Sequence, residues 1–107
     1  MRGWLIVAPW LNVNAMALFP VILIRSQAMR KDEVLLNHER IHLRQQLELL
    51  VLPFYVLYLL NYLVNLIRYR KHHEAYMGIS FEQEAYKMEA DLAYLNCRKY
   101  CNWIAFF

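Results

Sequence analysis

The sequence predicts a mainly α (α+β) fold: three helices preceded by a short N-terminal β element or membrane segment. Three observations predict it. Residues 32–100 read as helical, from the Asp32 cap through to Phe81, Ala85, Met88, Leu92 and Leu95, which repeat at helical spacing. Pro53 and a polar connector at 71–79 divide that stretch into three. The apolar stretch before it, at 4–24, is interrupted by Pro9, Asn12, Asn14 and Pro20 and carries the β-branched run Val21-Ile22-Leu23-Ile24. At 107 residues the chain makes one domain, with 1–31 as strand or membrane segment plus connector and 32–100 as the helical core.

Three readings compete for residues 4–24. Their length allows a membrane-spanning helix. Arg2 and the small residues Ala15-Met16-Ala17 allow a signal peptide. The prolines and β-branched residues favour two strands, at 4–8 and 18–24, around a polar bend. After the polar connector 25–31, Asp32 is placed to cap a first helix that runs to about residue 52, with Glu33 in its first turn. A second, apolar helix follows Pro53 from 54 to 69. Ser80 and Gln83 form a capping-box pattern ahead of a third helix over 81–100. Its buried stripe is Phe81, Ala85, Met88, Leu92 and Leu95.

Hydrophobic residues make up 60% of the chain, above the 45–50% usual for soluble domains. Eight Tyr and three Trp add rings suited to a membrane–water boundary. The basic run Arg68-Tyr69-Arg70-Lys71-His72-His73 follows the apolar helix, as a juxtamembrane flank does. Membrane association is therefore expected, and nucleic acid is not expected as a partner. The competing reading is a helical domain with a Tyr-rich core or a large partner interface. Cys97 and Cys101 stand four apart and are read as free thiols.

The residues that carry chemistry are His38-Glu39-Arg40-Ile41-His42. Two histidines four apart project from one helix face, the spacing at which two imidazoles grip one zinc ion. Glu39, about 100° around the helix, reaches a water on that zinc without ligating the metal, and is placed to act as general base. A third ligand has to come from elsewhere. The cluster Phe81-Glu82-Gln83-Glu84-Ala85-Tyr86 offers two carboxylates. If the chain turns at Pro53, the third helix starts beside the histidines. Glu82 and Glu84 lie about 200° apart on the wheel, so helical geometry leaves both open. Glu89 and Tyr86 share the side of Glu82, whereas Asp91 and Lys87 share that of Glu84 and look like a solvated face.

The stretches His38–Gln45 (HERIHLRQ) and Phe81–Tyr86 (FEQEAY) resemble the gluzincins, the zinc-peptidase clan with two motif histidines and a downstream glutamate ligand. Within the clan they resemble small bacterial membrane-associated members, which implies a bacterial inner membrane. The resemblance implies a three-helix zincin-like core and a zinc ion held by His38, His42 and Glu82, with Glu39 catalytic. The implied activity is hydrolysis of peptide bonds in a peptide or protein substrate. Glu82-Gln83-Glu84-Ala85 matches the clan's Glu-x-x-Ala and favours Glu82. Tyr86 stands where the clan has Asp or Asn, a departure that touches its support for one histidine. The clan binds substrate backbone along an edge strand before the active helix, for which 18–24 is the expected counterpart. The rival function is a non-catalytic membrane or interaction protein with a structural or vestigial metal site.

The remaining polar residues have plainer readings. His72 and His73 belong to the basic flank. Tyr76 and Tyr86 are read as packing residues before oxyanion donors. Asn61 and Asn65 are read as bonds between helices. Gln45 and Gln46 are read as surface groups or as supports of the ligands.

Overall fold

The computed structural model describes residues 3–107. Three strands, β1 (Trp4–Val7), β2 (Ala15–Leu18) and β3 (Val21–Ile24), form one sheet in the order β1-β3-β2. β1 pairs with β3 in parallel, and β2 pairs with β3 antiparallel. The expected strand over 18–24 is in fact two, because the chain reverses at Phe19-Pro20 and Ala15-Met16-Ala17 becomes a strand of its own. The strand reading of 4–24 thus holds over the transmembrane helix.

Side chains alternate across this sheet. Ala17, Ile22 and Ile24 point inward and pack against Leu36 and Leu43 of α1 (Glu33–Glu48). The opposite face carries Trp4, Ile6, Met16 and Leu18, all exposed, with Val21 and Leu23 between them in register.

Helix α1 begins where expected: the Asp32 carboxylate accepts the Leu35 N–H at 3.0 Å. It ends at Glu48, before Pro53 could break it. Leu50 and Val51 adopt positive φ, and Leu52 N–H bonds back to Leu50 C=O at 2.8 Å. That is a strained γ-turn for a β-branched residue. Pro53 then sits in the first turn of α2 (Leu52–Tyr69), where its missing N–H costs nothing. The two helices meet at a bend of 112°.

The connector at 71–79 contains a helix, α3 (His72–Met77), which packs along α2. Asn61 and Asn65 make the expected interhelical bonds, Asn61 accepting from Ser80 N–H and Asn65 donating to Ala75 C=O. α4 (Ser80–Met88) is capped by Ile79 rather than by Ser80. The Ser80 hydroxyl instead donates to the Trp103 carbonyl, so the capping box does not form.

The third helix also stops early, at Met88 instead of 100, and the stripe residue Leu92 is exposed. The cause is Asn37 of α1. Its amide donates to the carbonyls of Glu89 at 2.8 Å and Asp91 at 3.0 Å, groups a continuing helix would use internally. A short helix α5 (Tyr94–Cys97) and a 3₁₀ turn (Asn102–Phe106) fold the C-terminal segment back over α4. Trp103 closes a core with Phe54, Ile79 and Phe81. Cys97 and Cys101 are free thiols.

Candidate metal centre

Helix α1 turns Asn37, His38, Glu39, His42, Gln45 and Gln46 inward, a polar stripe on a face where a soluble helix normally places its core. Buried polar groups are costly without partners, so the stripe requires that its groups meet something. α4 delivers Glu82 to it from its first turn. The Glu82 Oε1 lies 3.0 Å from His42 Nε2 and 3.3 Å from His38 Nε2, and the two ring nitrogens are 3.2 Å apart. All three residues are buried.

This triangle suits a metal. Four ligands at about 2.0–2.1 Å around a tetrahedral zinc stand about 3.3 Å from one another. Two imidazole nitrogens and a carboxylate oxygen are also a donor set that zinc accepts. Without a cation, two ring nitrogens facing each other beside one oxygen can share only protons. The group formed by His38, His42 and Glu82 could therefore hold a metal ion.

Each ligand is held in turn. His42 Nδ1 is 2.8 Å from Gln45 Oε1. The Gln45 amide donates to Phe81 C=O and Glu84 Oε1, so its oxygen must be the acceptor and His42 Nδ1 carries the hydrogen. That tautomer presents the Nε2 lone pair to the centre. Tyr58 of α2 donates to the second Glu82 oxygen at 2.6 Å. Burial alone would lower the His42 pKa. The Glu82 carboxylate outweighs it, with help from Glu39 and Gln45, and holds the imidazole up at about 9. Burial would likewise raise Glu82, but His42, His38 and Tyr58 hold it well below the usual carboxylate range.

Comparison with family models, curated proteins and solved structures finds no match to this chain.

A cleft of about 280 Å³ opens beside the triad, lined by β2, His38, Glu39, His42, Tyr55, Tyr58 and Glu82. Glu39 is buried at its wall, and that burial raises its carboxyl above the ordinary value even though His42 and His38 pull it down. The strand along the cleft is β2, not the expected 18–24 segment, whose β3 portion is central and paired on both sides. Part of the β2 edge is already satisfied. Gln46 donates to Ala17 C=O at 2.9 Å and accepts Phe19 N–H at 2.7 Å, while Ala17 also bonds Glu39.

The structure brings together all four residues singled out from the sequence: His38, Glu39, His42 and Glu82. It corrects Glu84, expected on a solvated face but fully buried. Glu84 accepts from Gln45, Tyr94 and Arg98 and sits one layer behind the ligands. Gln45 and Gln46 are likewise buried supports. Gln45 was legible as a site residue, since it lies three positions after His42 and seven after His38 on the same face. Tyr58 carried no signal, because its place depends on the 112° bend.

Proposed function

We propose that this chain is a zinc-dependent hydrolase of peptide bonds that works at a membrane surface. The observation that carries the proposal is the buried His38–His42–Glu82 triangle of 3.0–3.3 Å edges, facing a cleft that holds Glu39. When bound there, zinc supplies a Lewis acid and lowers the pKa of a water toward 7. The chain's own part is distinct. His38, His42 and Glu82 fix the ion, Gln45 and Tyr58 orient them, and Glu39 accepts the proton from water and returns it to the leaving amine. The free portion of the β2 edge offers backbone groups for an extended peptide.

The test is metal content and turnover of the purified chain. About one zinc per chain is expected, and a His38→Ala/His42→Ala double variant is expected to hold less than a tenth of it. Equal zinc in both proteins would sink the site. A specific observation favours the rival, non-catalytic reading: Gln46 and Glu39 already occupy the Ala17 edge groups. On that reading zinc binds and stabilises the fold, but a quenched-fluorescent peptide library remains uncut.

The membrane part of the proposal rests on uncovered apolar surface. Val56, Leu59, Leu60, Leu63, Val64 and Ile67 of α2 are exposed at helical spacing, Ile67 at 77%. The outer sheet face adds Trp4 at 70% exposure. Patches of this extent mark protein or membrane contacts. The basic Arg68, Arg70 and Lys71 at the end of α2 favour an anionic bilayer. No single helix among the described residues is long and apolar enough to cross a membrane, whereas α1 and α2 taken together, bent by 112°, are so by length and composition. Co-sedimentation with phosphatidylserine vesicles is expected, and Val56→Glu/Leu63→Glu is expected to abolish it. Wild-type protein left wholly in the supernatant would remove the membrane from the proposal.

A further inference from the structure

The two histidines of the centre are not held alike. His42 has its outer nitrogen bonded to Gln45, whereas His38 Nδ1 is buried with no hydrogen-bond partner. His38 as a whole is 5% exposed, so water does not readily serve it. Buried ring nitrogens without partners are rare and call for an explanation.

The polar group facing that nitrogen is Glu89, whose Oε2 lies 3.8 Å from His38 Nδ1. That is too long for a hydrogen bond, by about 1 Å. The backbone that carries Glu89 is fixed at the required distance by the residue next to His38. The Asn37 amide donates to the Glu89 carbonyl at 2.8 Å and to Asp91 at 3.0 Å, bolting the end of α4 to α1. The Glu89 side chain itself is 26% exposed. Tyr86, one turn nearer to Glu82, cannot do this work. It presents its ring to His38, with centroids 4.4 Å apart, and its hydroxyl is turned to Tyr76 at 3.2 Å.

We infer that Glu89 is the positioning residue for His38: when His38 Nε2 ligates a metal, the Glu89 carboxylate closes onto His38 Nδ1–H and fixes the ring. The chemistry requires an acceptor at that point. A neutral imidazole that gives Nε2 to a metal carries its hydrogen on Nδ1, and a ligating histidine almost always donates that hydrogen onward. The centre then has two unlike supports, an amide for His42 from within α1 and a carboxylate for His38 from beyond α4. The break after Met88 acquires a use, because it leaves the Glu89 and Asp91 carbonyls free for Asn37.

This inference rests on the metal-centre reading, and the experiment separates the two. Zinc affinity of the full chain is measured by competition with a chromophoric chelator for wild type, Glu89→Ala, Glu89→Gln and His38→Ala/His42→Ala. Glu89→Ala is expected to bind zinc 10–100-fold more weakly, with the far-UV circular dichroism of the metal-free chain unchanged. Glu89→Gln, whose carbonyl oxygen still accepts from Nδ1–H, is expected to recover most of the loss. Nitrogen-15 histidine spectra of the zinc-loaded wild type should show His38 with Nδ1 protonated and hydrogen-bonded, a signature lost in Glu89→Ala. Wild-type affinity in Glu89→Ala, with the double His variant failing to bind, would overturn the role of Glu89 alone. Failure of wild type itself to bind zinc would overturn both readings.

Discussion

Glu39→Gln is expected to bind zinc at the wild-type stoichiometry and to lose 10²–10⁴-fold in hydrolysis of any peptide the wild type cleaves. The amide keeps the shape of the side chain, and its oxygen can still accept a hydrogen bond from the Ala17 backbone. It cannot accept a proton from water. Glu39 lies outside the triangle of ligand atoms, so the affinity for zinc is expected to stay within a few-fold. Burial raises the Glu39 pKa, which brings it toward the range of a base used near neutral pH. The sign of that shift adds a second readout. A carboxyl whose folded pKa lies above its unfolded value favours the fold below the unfolded pKa and loses that contribution as pH rises through the folded one. Wherever the pH exceeds that folded pKa, the ionised Glu39 is a burden on the metal-free fold, and metal-free Glu39→Gln should melt no lower than wild type there. Unimpaired turnover in the zinc-loaded variant would remove Glu39 as the base.

How much of this could be read from the sequence follows from the range of the forces involved. The His38/His42 pair and Glu39 are set by one helix, so spacing alone places them. Glu82 needed a second element, and the Glu-x-x-Ala pattern supplied it where helical geometry left Glu82 and Glu84 open. The first two helices were legible because Asp32 caps α1 and Pro53 opens α2 through local backbone chemistry. The third was misjudged because its end is decided at a distance, by Asn37, whose amide takes carbonyls more than fifty positions later in the chain. Ser80 failed as a cap for the same kind of reason: a carbonyl at Trp103 offers its hydroxyl a partner that no local pattern encodes. The first helix stops short of Leu52 because Leu50 and Val51 take positive φ, a local backbone turn that the sequence pattern did not mark.

Arg98→Met is expected to destabilise the metal-free fold by about 3–5 kcal/mol, the range for a buried ion pair that loses one partner. Nothing in the sequence marked Arg98, but its side chain is fully buried between two carboxylates. It donates to Glu48 at 2.6 and 3.0 Å and, through Nε and Nη2, to both oxygens of Glu84. Methionine fills much of the volume while leaving two buried carboxylates to face each other unpaired. Glu84 would keep only its neutral donors, Tyr94 at 2.6 Å and Gln45 at 2.9 Å. The pH dependence carries the diagnosis. Burial would raise the Glu84 pKa, but the bonds from Arg98, Tyr94 and Gln45 outweigh it and hold it below its ordinary 4.5. A depressed carboxyl stabilises the fold above its unfolded pKa and loses that contribution as pH falls through the folded value. The gap between wild type and Arg98→Met should therefore be widest near pH 7 and close as the pH is taken below about 4.5. Urea unfolding at a series of pH values measures it. A gap of the same size at every pH would mean that Arg98 acts through packing and not through charge. Because Glu84 also holds Gln45, and Gln45 holds His42, the variant should bind zinc more weakly as well. A Glu48→Gln/Glu84→Gln/Arg98→Met triple variant, which removes all three charges together, should recover most of the stability.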